Sequence, residues 1–466
     1  MSFKRKHIHT VVAAALLSTG ALTFTTAASA NDSSELEALR ALVQELDQKI
    51  RVLDRKGEIA EAAAKDEKKK QPVIKANSGG FTIGSADGAH VFKLRGTLQA
   101  DNRSFFGDSD PDLKNDNVLR RVRPRFQGTL YNIFDFDINT DFAPNTTTVQ
   151  DAYINARFLP EFQVQVGKFK SPFSLERLQS GNWIRFAERS YVADSIAPNR
   201  DVGVQVHGDL FDKKLNYKLA VLNGTSDGGS GAQSGDSNTD KEFAARLFTE
   251  PFKGEDSVLA GLGFGLAGTW ADQKDDAVDD RYRTPGLQTF FQYHADTKSN
   301  GNKIRWSPQA YYYYGPFGLI AEYARSSTDV KRGINTATLD NDAWQIAGSW
   351  VLTGEDNNFA GITPKSNFDL KKGGWGAWEI AARYHELEVD KDAFDGGFAG
   401  TANTTTNFGR NATEKAQSWT LGVNWYLNKN VKIATTYDHT SFDSALANVK
   451  DREDERALFT RFQVAY

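Results

Sequence analysis

The last nine positions, 458–466, alternate almost strictly between apolar and polar side chains and end on an aromatic ring. Leu458, Phe462, Val464 and Tyr466 share one phase of a strand, with Thr460 the mild exception. Phe459, Arg461, Gln463 and Ala465 share the other, where only Phe459 departs from polar or small character. A half-buried soluble strand shows the same period of two. The chain stops on this strand, however, as the closing strand of an outer-membrane barrel does, with an interfacial aromatic at its end. Four more segments repeat the pattern. Phe134, Phe136, Ile138 and Phe142 alternate with Asp135, Asp137, Asn139 and Asp141. Leu215, Tyr217, Leu219 and Val221 alternate with Asn216 and Lys218. Trp378, Ile380, Ala382 and Tyr384 alternate with Glu379, Arg383 and His385. Trp419, Leu421, Val423 and Trp425 alternate with Thr420, Gly422 and Asn424.

The strand region runs from Phe81 to Tyr466 without a second domain boundary. At roughly 22–26 residues per strand and connection, it predicts an all-β transmembrane barrel of about 16 antiparallel strands over 81–466. Polar insertions at 226–240, 272–280 and 394–413 read as extracellular loops, whereas 427–430 reads as a short turn. That asymmetry is itself a barrel signature. Upstream, Pro72 and Ser78-Gly79-Gly80 mark a linker over 73–80.

A different period occupies 31–72. Leu36, Leu39, Val43, Leu46, Ile50 and Leu53 step by three and four, which predicts a short N-terminal coiled-coil helix in the periplasm. The Ala/Glu/Lys-rich run after it continues the helix as a solvated face. A helix packed on its own barrel is the alternative. At the N-terminus, Lys4-Arg5-Lys6, an apolar run from Val11 to Leu17, and Ala28-Ser29-Ala30 form a signal peptide over 1–30.

Composition narrows the class. The hydrophobic fraction is 39%, and past the signal no apolar run approaches the length of a helical span. Yet there are 31 Phe, 15 Tyr and 9 Trp against one Met, which suits a greasy exterior around a wet interior. An aromatic-rich secreted sandwich or solenoid is the alternative. Cysteine is absent, which excludes disulfides and thiolate metal sites. Cleavage after Ala30 removes the charges of Lys4, Arg5 and Lys6 and takes the formal charge from −4 to −7. The chain is acidic overall, and no nucleic-acid partner is expected.

The sharpest constellation is Arg120-Arg121-Val122-Arg123-Pro124-Arg125-Phe126-Gln127. Arg121, Arg123 and Arg125 share one phase, opposite Val122, Pro124 and Phe126. With Phe126, Gly128 and Leu130 facing lipid, three guanidiniums climb the lumen wall at roughly 7 Å intervals. The inward assignment follows from energetics, since an arginine facing lipid costs about 2–4 kcal/mol at the midplane. Such a column offers an anion successive forked donors that replace part of its hydration. The next strand carries Asp135, Asp137 and Asp141 on the same inward phase, so the arginines can instead pair with carboxylates and brace the wall. In a mixed arrangement, carboxylates position guanidiniums that still face the pore.

The stretch 167–200 is the second candidate. It supplies Lys168, Lys170, Arg177, Arg185, Arg189 and Arg200 against Glu176, Glu188 and Asp194 alone. Pro172 and Gly181-Asn182 break it as a strand. It reads as a basic loop that either folds into the lumen and sets the narrowest point or lies on the surface. The histidines 207, 294, 385 and 439 are scattered, and no H-E-x-x-H or G-x-S-x-G motif is present. No enzyme activity, cofactor or metal site is expected. The acidic run 272–280 lacks a Gly-centred calcium loop, so it reads as solvated rather than as a Ca²⁺ or lipopolysaccharide bridge.

Ordered blocks of this sequence resemble the phosphate-selective porins O and P. They include Gln150-Asp151-Ala152-Tyr153, Gly167-Lys168-Phe169-Lys170-Ser171-Pro172-Phe173-Ser174-Leu175-Glu176 and Phe186-Ala187-Glu188-Arg189. Ala197-Pro198-Asn199-Arg200-Asp201-Val202-Gly203-Val204, the stretch 344–355, Gly376-Ala377-Trp378-Glu379 and Asn424-Trp425-Tyr426-Leu427-Asn428 fit as well. The resemblance covers about 81–466. It implies a 16-stranded barrel, usually a homotrimer, with an inward-folded loop at the constriction. It further implies that wall arginines, matched by Arg121, Arg123 and Arg125, guide phosphate or related anions. Lys168, Lys170, Arg189 and Arg200 match the basic positions around the constriction loop. The acidic balance and inward aspartates depart from a strongly anion-selective pattern.

The expected protein is an outer-membrane porin for passive diffusion of small hydrophilic solutes, biased toward anions such as phosphate. Its expected partners are outer-membrane lipid and lipopolysaccharide, small anions and further copies of itself. One rival is a weakly selective porin for other solutes such as carboxylates. The other is a structural outer-membrane anchor, although an 18-residue seam reaches only about 27 Å.

Overall fold

The computed structural model describes residues 32–106, 113–143, 146–232, 239–278, 280–400, 413–445 and 451–466. The expected signal peptide lies outside the described residues. Two compact units divide the chain, Met1–Gln71 and Pro72–Tyr466.

In the first unit the described chain is a single helix, α1 (Asp32–Lys70), of 39 residues. Ala, Leu, Glu, Lys and Arg dominate it, all strong helix formers, and it stops short of Pro72, which disfavours helix before it. Pairs such as Lys49–Glu45 at 2.6 Å and Arg51–Asp47 at 2.9 Å link successive turns. The six seam residues from Leu36 to Leu53 are all exposed.

The second unit opens with a hairpin where the sequence suggested a linker over 73–80. Strands β1 (Val73–Asn77) and β2 (Gly80–Gly84) pair antiparallel, and β2 continues onto the start of β3 (Val91–Phe106). Ser78-Gly79-Gly80 therefore turns the chain back rather than loosening it. At Gly80, φ is 95° and a Cβ would lie 2.4 Å from the Leu94 carbonyl oxygen, so a side chain there is excluded.

Next come β4 (Asp116–Leu130), β5 (Phe134–Asp141), β6 (Thr148–Leu159) and β7 (Phe162–Lys170). A long connection carrying the turn α2 (Leu175–Leu178) leads to β8 (Arg200–Leu210), β9 (Leu215–Leu222), β10 (Glu242–Thr249) and β11 (Leu262–Ala277). A small separate hairpin, β12 (Arg281–Arg283) with β13 (Thr289–Gln292), precedes β14 (Lys298–Tyr314), β15 (Phe317–Arg332) and β16 (Asn335–Val351). The chain finishes with β17 (Ala377–Glu388), the turn α3 (Asp392–Asp395), β18 (Thr413–Tyr426), β19 (Val431–Ser444) and β20 (Glu455–Ala465). One sheet holds 18 strands, and apart from the β1–β2 hairpin its remaining 16 close by pairing β20 with β3.

Closure leaves the barrel wall no free edge, so every strand can satisfy its backbone polar groups within lipid. Side-chain phase is as the sequence predicts, with polarity inverted relative to a soluble core. Ile380, Leu421, Val423, Phe462 and Val464 are exposed on the outer face. Glu379, Arg383, Thr420, Asn424 and Arg461 on the alternate phase are buried in the lumen.

Connections at one end are mostly short, as between β6 and β7 or β14 and β15, and at the other mostly long. By the rule for such barrels, the long-loop end is extracellular. Residues 352–376 are a long connection at the short-turn end, and Gly333-Ile334 is a tight turn at the other. The predicted loop over 272–280 is largely strand, because β11 runs on to Ala277 against β14, with a register shift between Lys274 and Ala277. Above the lipid a strand needs no apolar face, so polar sequence does not end it. Asp280 is buried against Lys303 at 3.3 Å rather than solvated.

The wall is not uniform around its circumference. Strands β5, β9 and β10 have 8 residues each, whereas β14 and β16 have 17. Apart from Trp183, every tryptophan lies between Trp270 and Trp425, within or between β11 and β18.

Candidate functional site

The connection between β7 and β8, 171–199, folds into the barrel. Ser171 to Ser174 are fully buried, Ser174 caps α2 by accepting from Arg177 N, and Tyr191, Val192 and Ile196 pack in the main apolar cluster. Side chains from the taller wall fasten its backbone: Gln309 Nε2 donates to Phe173 O at 2.9 Å and Lys432 Nζ to Ile184 O at 3.0 Å. Glu322 accepts from Leu175 N at 2.7 Å, and Asn424 Nδ2 donates to Arg185 O at 2.9 Å. The loop is thus fastened along β14–β19, where a cavity of about 30 Å³ remains beside Arg185 and Tyr313, and the larger open space lies on its other side, along β3–β9.

Two cavities occupy that space. One of about 560 Å³ opens toward the short-turn end and is lined by Tyr153, Gln165, Lys218 and Lys429 among others. The other, of about 320 Å³, lies toward the long loops and is lined by Arg120, Gln150, Arg177 and Arg283 among others. Four residues line both: Arg123, Lys170, Gly181 and Arg200. They stand where the two cavities adjoin, and three of the four are cations. Gly181 brings the loop against the arginine strand, where a Cβ would lie 3.5 Å from Arg121 Cζ.

Charge along the two cavities is lopsided. The first cavity is lined by seven Arg or Lys side chains and one aspartate, the second by eight and two aspartates. The negative formal charge of the whole chain therefore says nothing about its lumen. The arginine strand shows the mixed arrangement. Arg125 Nε donates to Asp137 Oδ1 at 2.9 Å while Nη2 donates to Oδ2, and Arg123 Nε donates to Asp141 Oδ2 at 2.7 Å. Arg121 instead donates to the neutral Gln99 Oε1 at 2.5 Å. Arg123 and Arg125 still line the first cavity, so pairing positions them without withdrawing them.

The loop cations divide in the same way. Lys170 Nζ donates to the carbonyls of Leu178 at 3.1 Å and Gln179 at 2.9 Å. Among the described residues Arg189 likewise meets only carbonyls, Glu176 O at 3.2 Å and Gln179 O at 2.9 Å. Burial first, and Arg177 next, lower the Arg189 guanidinium to about 10. Arg177 pairs with Asp194 at 2.7 Å and Arg200 with Asp151 at 2.9 Å. Two candidates stand apart. Arg185 lines neither cavity and reaches the far wall, 3.3 Å from Glu379 and 2.6 Å from Asn357 Oδ1. Lys168 also lines neither, and donates to Gly231 O at 2.8 Å.

Sequence reasoning missed Arg120. Alternation turns it to lipid, but the β3–β4 register shifts between Gln99 and Ala100, so Arg121 faces Gln99 while Leu119 faces Ala100. The bulge lets two consecutive arginines turn inward, and single-sequence periodicity carries no sign of it. Arg95 was legible, on the polar phase between Phe92, Leu94 and Gly96. Arg120 grips Glu188 of the loop, with Nε to Oε1 at 2.6 Å and Nη2 to Oε2 at 2.8 Å. Burial opposes the Glu188 charge, yet Arg120 and then Arg461 hold its carboxyl well below the usual range.

A closed 16-stranded barrel with an apolar exterior, a polar lumen and an infolded loop beside the remaining open space defines an outer-membrane diffusion channel. The chain belongs to the family described as phosphate-selective porin O and P, whose model matches residues 92–466. It is similar to Porin O of Pseudomonas aeruginosa, 28% identical over 432 residues that cover 84% of this chain and 92% of that protein. The fold is shared with OmpT of Vibrio cholerae, with a TM-score of 0.52 and 12% identity over 81% of this chain and 98% of that one. It is also shared with the channel DcaP of Acinetobacter baumannii, with a TM-score of 0.51 and 12% identity over 81% and 98% of the two chains. This chain is a porin of the bacterial outer membrane, in a family of channels rather than enzymes.

Proposed function

We propose that this porin passes small anions, inorganic phosphate among them, by passive diffusion between the infolded loop and β3–β9. The observation that carries the reading is the trio Arg123, Lys170 and Arg200 at the junction of the two cavities. A narrow passage with low-dielectric walls and one sign of charge concentrates counter-ions. Forked guanidinium donors suit the oxygens of phosphate better than they suit chloride. Arg121, Arg125, Arg177 and Arg189 extend the positive lining on either side, while Arg185 and Lys168 serve to hold loops. The test is chloride current through channels reconstituted in planar bilayers. Added millimolar phosphate blocks it on this reading; cation preference sinks the reading. Block by acetate or malonate at lower concentration than phosphate would favour the carboxylate rival.

Three copies of the chain assemble in this proposal, with lipid and lipopolysaccharide around them. The exposed apolar seam of α1 supports a periplasmic coiled coil between copies, since a lone solvated helix gains nothing from such a stripe. The low wall around β5–β10 lacks tryptophan, which together with tyrosine marks membrane interfaces, and this supports a protein neighbour there. Molar mass in detergent, with and without residues 32–70, tests both contacts.

A further inference from the structure

Among the cations beside the passage, one acid of the infolded loop holds a position of its own. The Glu188 carboxylate meets guanidiniums from three strands. Arg120 of β4 holds both its oxygens, Arg461 of β20 donates to Oε1 at 3.2 Å, and Arg103 of β3 lies 3.6 Å from the same oxygen. Arg461 and Arg103 also share Asp101, at 2.7 Å and 3.4 Å. Arg120 differs. Its one ion pair among the described residues is with Glu188, its side chain is 25% exposed, and it lines the cavity on the long-loop side. The Glu188 side chain is only 3% exposed.

A tether would not require this charge. The loop backbone is already fastened here, by Arg461 Nη1 to Ala187 O at 2.6 Å and by Arg383 Nη1 to Glu188 O at 3.0 Å. Ala187 N also donates to Thr436 Oγ1 at 3.1 Å. A carboxylate held by both arms of a guanidinium occupies the geometry that a phosphate oxygen pair would take. We propose that Glu188 is a resident anion held beside the passage, filling the fork that Arg120 would otherwise offer to a permeating oxyanion. The inference rests on the anion reading of the passage. Its consequence is release: a channel must bind its solute weakly enough to let it leave, and Glu188 removes one tight station above the constriction.

The test uses full-length channels in planar bilayers, titrating chloride current with inorganic phosphate. Glu188→Gln removes the carboxylate charge and, because the amide Nε2 cannot accept, one of the two guanidinium bonds; Arg120 is then available to phosphate and half-block falls to about one-fifth of the wild-type phosphate concentration. Arg120→Gln combined with Glu188→Gln returns half-block close to wild type. An unshifted half-block in Glu188→Gln, or a shift that survives in the double variant, overturns the inference. Where Glu188→Gln does not assemble, Glu188→Asp withdraws the carboxylate from the two-armed grip; half-block below wild type supports the proposal and a wild-type value overturns it. Wild-type channels that phosphate does not block at all would remove the proposed function itself, a separate result.

Discussion

Arg305 and Arg200 both point into the same barrel, on opposite sides of the infolded loop, and the contrast shows what makes a lumen arginine part of a path. Arg305 is fully buried, donating to Asp227 at 2.7 Å, Glu242 at 2.8 Å and Thr225 O at 2.6 Å. Two carboxylates and a carbonyl consume its donors, and it lines neither of the two cavities. Arg200 has one carboxylate, Asp151, and lines both cavities. Around Arg305, the acids Asp227, Glu242 and Asp280 outnumber the cations Lys303 and Arg305. On the open side, cations outnumber acids, and among the described residues Lys170, Arg189 and Arg121 find only neutral acceptors. An inward arginine alone therefore does not identify a conduction site; in the proposed function, unspent charge beside open space does.

The largest effect should come from breaking the fastened side. Arg305→Gln leaves Asp227 and Glu242 short of their partner and should cost about 3–5 kcal/mol, as for other broken buried pairs. Thermal unfolding of the purified protein reads this, and channels that survive should keep wild-type ion preference. A smaller effect separates two rungs of the arginine strand. Arg125→Gln leaves Asp137, itself buried, with only neutral partners and should destabilise by about 1–3 kcal/mol. Arg121→Gln removes a buried charge with no carboxylate partner and should leave stability unchanged or raise it. Equal losses at the two positions would erase the distinction between braced and unbraced rungs. The smallest effect belongs to Lys168→Gln, which lines neither cavity and should leave anion preference where it was, as measured by zero-current potential.

Much of this molecule was legible in the chain. Strand phase was, because lipid outside and water inside punish a slip on every strand; Phe462 and Tyr466 face out and Arg461 and Gln463 face in, as the alternation requires. The inward turn of Arg121, Arg123 and Arg125 followed from the same rule. Arg120 escaped it, because a bulge adds one residue to one strand and leaves no mark in composition or period. The strand nature of 73–77 and of 272–277 was hidden by polar and glycine-rich sequence that lies where no lipid enforces a pattern. Arg185 and Arg200 look alike in a basic loop. What separates them is Glu379 from β17 and Asp151 from β6, partners set by closure of the barrel and not by local sequence.

In the proposed function, Arg123, Lys170 and Arg200 give the passage its sign. This role is tested most directly by the zero-current potential of reconstituted channels in a salt gradient, for wild type and for the variant with all three replaced by Gln. Wild type should give an anion-selective potential that collapses toward zero or turns cation-selective in the triple variant, where Asp141 and Asp151 are left facing the passage. A wild-type potential retained by the triple variant would contradict this role.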